Sequence, residues 1–163
     1  MVVLAVDIGC DGPADRDVFR ARSDREEEAA RQEDLDEFLR ACAMVTAPTR
    51  DISRALVQQL CQLLQKAPQF LKRYFTPPIK SVADPLFDAD ALEQILLLTT
   101  QQAGILTSRS QSGNSIATVA LPELDIERTF ASPTCLAVAM AGAIAAGAHA
   151  AILAQPGEGL KEA

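Results

Sequence analysis

The chain has 163 residues and a formal net charge of -7. That is long enough for one domain with a hydrophobic core, and too acidic for general affinity to nucleic acid or anionic membrane. Hydrophobic residues make up 48% but aromatics only 4%, with no Trp, so the interior must be mostly Ala, Leu, Val and Ile. One His and four Cys without a C-x-x-C pair exclude the usual zinc patterns. With no disulfide framework either, a reducing compartment is expected.

Residues 2–6 read as a short buried strand or an extended tail, and residues 7–13 as a turn. The apolar start ends at Asp7 and lacks a basic lead, so it does not read as a signal peptide. A strand followed by Asp7, Ile8 and Gly9 resembles the first phosphate loop of the actin and sugar-kinase superfamily. Those folds continue with a hairpin strand, whereas a charge-dense segment follows here, so the resemblance implies no function.

Ser23 with Glu26 forms a capping-box pattern and predicts a helix over 24–46. This divides the chain into an N-terminal tail and turn (1–22) and a helical domain (23–163). The first half of that helix is nearly all charged, with Glu27/Arg31 and Asp36/Arg40 at i, i+4 spacing. An apolar face starts only at Leu35 and continues through Phe38, Leu39, Cys42 and Val45. The earlier turns should project into solvent or against a partner. Thr49 is placed to cap a second helix over 50–66, with Ile52, Ala55, Leu56, Leu60, Leu63 and Leu64 inward. Its outer face carries Gln58, Gln59, Gln62 and Gln65, amides that are less costly to desolvate than charges.

Lys66, Lys72, Arg73 and Lys80 are interleaved with Phe70, Tyr74 and Phe75, with no acid among them. Such a pattern holds phosphates and stacks bases. The alternative is that the rings plug the core while the cations snorkel outward. Residues 76–80 should be extended around Pro77 and Pro78. Asp84-Pro85 opens the next segment, and Asp88 caps a helix over 89–103. Leu92, Ile95, Leu96 and Thr99 form its inner stripe, widened by Leu97 and Leu98, and Gly104 is its left-handed C-cap. Residues 107–115 read as a loop and 116–121 as a strand with no partner of similar quality except residues 2–8. Glu123, Asp125 and Glu127 alternate with Leu124, Ile126 and Arg128. Three acids on one strand face bind a divalent cation or, more simply, mark a solvent face.

Residues 133–154 form the longest uncharged run, rich in Ala and Gly. Ser132 suits its N-cap, Pro133 its first position, and Pro156 and Gly157 its stop. Its larger side chains keep to no single face, so it must be enclosed on all sides by protein or lipid. Its length, roughly 33 Å, matches a bilayer core, but scarce bulky residues and missing aromatic or basic anchors favour burial in protein. Two rows of small residues permit close backbone approach. The expected interface is Ala139, Gly142, Ala143, Gly147 and Ala151, used because the remaining helices look too few to cover this one. His149 lies within the run and is expected to be neutral and bonded to a backbone carbonyl.

The fold class predicted is mainly α, a small helical bundle around the Ala/Gly-rich C-terminal helix with a minor β element. No nucleophile elbow, P-loop or H-E-x-x-H motif is present in the sequence, and no catalytic, metal or cofactor-binding set is expected. The function expected is a non-enzymatic structural or assembly subunit. It would pack through helices with copies of itself or other subunits, in the cytoplasm or within a virion or other large particle. The alternatives are membrane insertion through residues 135–154 and a small nucleic-acid or phosphate binder using residues 66–80.

Overall fold

The computed structural model describes residues 13–133 and 135–155. The chain is mainly helical with a small antiparallel sheet. In order it forms α1 (Pro13–Met44), α2 (Arg50–Gln65), α3 (Lys80–Asp88) and α4 (Leu92–Thr99). A meander of β1 (Gly104–Arg109), β2 (Ser115–Leu121) and β3 (Ile126–Ser132) follows, and then α5 (Leu136–Ala154). The strand expected at 2–6, the Asp7-Ile8-Gly9 turn and the helix stop at Pro156 and Gly157 lie outside the described residues.

α5 is the centre. β2 and β3 pack on one side of it, and α1, α2 and α4 cover the rest. Fourteen of its nineteen residues are buried. A helix apolar around its whole circumference is therefore enclosed by its own chain, which corrects the expectation that the other elements cannot cover it. The reason is the sheet: a strand at Gly104–Arg109 stands where the pattern reads a helix C-cap and loop, and the alternation read over 123–128 continues as a full strand to Ser132. α5 is long and apolar enough to cross a membrane, yet 78% of its most apolar 18-residue window is buried within the chain.

Several boundaries differ from expectation for local reasons. α1 starts at Pro13, which suits a first helical position because its missing N–H has no partner there. Ser23 is thus an exposed residue inside the helix rather than its cap, and the 22/23 division falls within α1. In α2 the Thr49 hydroxyl does accept from the Ile52 N–H, at 3.3 Å. The buried stripe, however, is Ser53, Leu56, Val57, Leu60, Cys61 and Leu64, while Ile52 and Ala55 are exposed. Small Ser53 and Cys61 lie inside, which a count of large aliphatics misses. Asp84-Pro85 opens nothing. Pro85 lies inside α3, where its ring removes one backbone hydrogen bond.

α4 is shorter than 89–103 at both ends. Asp88 closes α3, and Asp90 has a left-handed backbone (φ 58°) that breaks the path before Leu92. At the far end Thr99 C=O accepts from Thr76 N–H and Gln101 N–H donates to Tyr74 C=O, both at 2.8 Å. That extended pairing ends the helix at Thr99, so Gly104 begins β1 instead of capping a helix. Leu92, Ile95, Leu96 and Thr99 are buried as expected, but Leu97 and Leu98 face solvent.

The strand at 116–121 has two partners, β1 and β3, while residues 2–8, the one partner the sequence offered, lie outside the described residues. Register pairs Ile105 with Val119 and Val119 with Arg128, so each strand alternates faces in step. Gly113, at φ 88°, makes the β1–β2 turn, in the left-handed region that glycine adopts freely. A 3-10 turn at Pro122–Leu124 and the left-handed Asp125 link β2 to β3. Because β3 runs to Ser132, that residue cannot cap α5. The cap position is Cys135, whose side chain makes no capping bond to the helix.

Candidate functional site

Ala139, Gly142, Ala143, Gly147 and Ala151, the residues expected at an interface, are all buried in the chain's own interior. A Cβ on Gly142 would stand 2.4 Å from ring atoms of Phe130 on β3. One on Gly147 would stand 3.0 Å from Val119 Cγ1 on β2 and 3.6 Å from Phe75 Cζ. Small residues here let a helix lie close on a sheet. They meet the chain's own strands, which the sequence reading did not provide.

The basic segment does not converge. Arg73 forms an ion pair with Glu123, bonds Gln102 Oε1 at 3.3 Å, and lies over the Tyr74 ring at 5.0 Å. Tyr74 OH donates to the same Glu123 carboxylate at 3.0 Å. Burial and that hydrogen bond hold the Tyr74 phenol above its ordinary range, the Arg73 charge partly opposing them. Tyr74 and Phe75 are buried, so these rings serve the core and offer no stacking platform for a base. Lys66, Lys72 and Lys80 are exposed, just after α2, in a 3-10 turn at Gln69–Arg73 and at the start of α3.

Glu123, Asp125 and Glu127 do not share a strand face. They lie in the 3-10 turn, at the left-handed residue and on β3. Among the described residues no group of three or more His, Cys, Asp or Glu is placed to hold a metal ion. His149 Nε2 stands 3.4 Å from Asp36 Oδ1, and Arg40 approaches the other oxygen of that carboxylate at 3.9 Å. The partner of His149 is thus a carboxylate across the α1–α5 contact, not the backbone carbonyl expected. Burial raises the Cys42 thiol to about 12 and the Cys61 thiol to about 11. Thiols so protonated at neutral pH make poor nucleophiles. Cys135 Sγ lies 3.4 Å from Ser53 Oγ.

A cavity of about 350 Å³ opens where α1, the end of α2 and the end of α5 meet. Leu35, Leu63, Leu71 and Ile152 line it, and Glu27, Arg31 and Lys66 stand at it too. Arg31 is bonded to Glu27 at 3.0 Å, so its charge is engaged within its own helix. The buried polar atoms without a hydrogen-bond partner, among the described residues, are Asp90 Oδ1, Ser115 Oγ and Ser132 Oγ. None belongs to a residue lining this cavity.

The outer face of the sheet is the feature that sequence reasoning missed. It turns away from α5 and carries Gly104, Leu106, Ser108, Ile116, Thr118, Ala120, Glu127, Thr129 and Ala131. Glu127 is the one charge among these nine positions, in a chain with 23% charged residues. Leu106 is 75% exposed. The Thr118 and Thr129 hydroxyls bond each other at 2.8 Å across the strands, which leaves one O–H donor of the two for water. The missed strands hid this face, because its nine residues are adjacent only once the register is known. No protein family, curated protein or solved structure matches the chain.

Proposed function

We propose that the protein is a non-catalytic structural or assembly subunit, acting by contact with copies of itself or with other subunits of a larger complex. The observation that carries this reading is the outer sheet face. A solvated antiparallel face normally alternates polar and charged residues against the buried side. This one is nearly free of charge, its central hydroxyls are paired with each other, and an exposed leucine lies on it. Such a face loses little when water is removed from it. The contact surface proposed is therefore the sheet, in place of the small-residue rows of α5.

The test is the mass of the purified protein by light scattering after size exclusion. A self-assembling subunit exceeds the 17.4 kDa of one chain, and a charge placed at the exposed Leu106 of the sheet reduces that mass. A particle of 17.4 kDa whose sheet variants behave as wild type would remove the self-assembly branch of the proposal.

A further inference from the structure

Among the described residues the sheet has two unpaired edges, and they are built differently. β3 carries adjacent exposed charges, Glu127 and Arg128, and Pro133 follows it. Charge and proline are devices that keep an edge strand from pairing with another chain. β1 lacks them. From Gly104 to Ser108 it has no charge, no proline and no break in its register with β2, and its one charge, Arg109, comes last. Every residue from Leu106 to Arg109 is exposed. One side of β1 is bonded to β2. The other presents a row of backbone N–H and C=O groups, which a further strand satisfies as a set.

Resting on the assembly reading above, we propose that this edge pairs with β1 of a second copy, antiparallel, about a two-fold axis at Leu106. An axis normal to the sheet keeps each face on its own side, so facing residues share a face. Leu106 then meets Leu106 of the second copy on the outer face, beside Gly104 opposite Ser108. On the α5 side Ile105 meets Thr107. Arg109 comes opposite Ala103, so the one charge of the strand does not meet itself, an arrangement that like charges would destabilise. The product is a continuous six-stranded sheet, a common size, with both α5 helices on the same side. The opposite occupant, a strand of different sequence, has no such match to argue for it on this edge. A contact built on one short strand buries less than about 1,000 Å², so the dimer should dissociate on dilution.

The test combines light scattering over a dilution series with amide hydrogen exchange of β1. It uses the intact chain and the variants Leu106→Lys and Thr129→Lys. Both positions are exposed, so both variants should stay folded, Thr129→Lys melting slightly lower because it loses its bond to Thr118. The proposal expects a wild-type mass that falls from twice 17.4 kDa to 17.4 kDa on dilution. It expects Leu106→Lys to be monomeric throughout, Thr129→Lys to follow wild type, and β1 amides to be protected only in the dimer. A dimer that survives Leu106→Lys but not Thr129→Lys, or is lost in both, would overturn edge pairing and leave a face-to-face contact standing. A monomer with fast β1 exchange at every concentration would overturn the second copy and the self-assembly branch together. A monomer whose β1 amides stay protected at every dilution would assign the edge to the same chain, with apolar residues 2–8 the segment to delete next.

Discussion

α5 and the front of α1 are both long helices, and they are stabilised by opposite means. α5 has no charged residue, and the sheet and three helices enclose it. Its helix is held by tertiary burial, with Ala supplying good intrinsic propensity. Among the described side chains of α1 the first buried core residue is Leu35. Of the described side chains from Val18 to Ala30, only Glu28 is even half-buried. What supports that front half is local: Arg22 with Glu26 at 3.4 Å and Arg31 with Glu27 at 3.0 Å. Each exposed pair of this kind contributes about 0.3–0.5 kcal/mol. The comparison separates helix formation from fold stability. The front of α1 is free to fray without cost to the core, while a change at any of the fourteen buried residues of α5 is felt.

The comparison is broken most forcefully at Phe38, which is fully buried in the second half of α1. Phe38→Ala should cost about 3–5 kcal/mol in denaturant unfolding. Val18→Ala, in the exposed front of the same helix, should stay within about 0.5 kcal/mol. Equal losses at both positions would mean that the front half is packed in solution. Gly142→Ala comes next. Helix propensity alone favours alanine, but the new Cβ would fall 2.4 Å from the Phe130 ring. A net loss of about 1–3 kcal/mol is expected, and a double-mutant cycle with Phe130→Ala should show strong coupling. Additive losses would indicate that the ring does not lie over the glycine.

A smaller effect should appear at high pH. The Cys42 and Cys61 thiols are raised from 9.0 to about 12 and about 11 by burial. Groups that hold their protons more tightly when folded contribute stability that is complete below pH 9.0 and is lost as pH rises toward 11–12. The melting temperature should therefore fall over that window, with Tyr74 adding in the same direction. A Cys42→Ala, Cys61→Ala protein, though less stable at neutral pH, should lose less between pH 9 and 11. An identical alkaline slope in the two proteins would remove these thiols as a cause.

The helical part of this fold was legible where apolar residues recur at helical spacing. The α2 cap at Thr49, the core face of α1 from Leu35 and the α4 stripe of Leu92, Ile95, Leu96 and Thr99 all stand where the sequence implies. The sheet was not legible, because period-two alternation appears only in strands with one buried face. β2 shows it, with Ser115, Ala117, Val119 and Leu121 buried in turn. β1 is exposed on both faces from Leu106 onward and so carries no alternating signal. β3 places Arg128 on the α5-side face, at an edge where its charge still reaches water. With β1 unseen and only the start of β3 read as a strand, α5 appeared to lack a cover and its small residues appeared free for a partner. The contact face now proposed was hidden by the same omission.

The account rests on α5 being enclosed by its own chain while the front of α1 is not. Native-state hydrogen exchange measures both at once, residue by residue. Amides of α5 from Ala139 to Ile152 should exchange only through global unfolding, with the free energy obtained from denaturant melts. Amides in the front of α1, from Val18 to Ala30, should exchange orders of magnitude faster, through local fraying. Protection in α5 well below the global value, or protection of the α1 front equal to that of α5, would contradict the account.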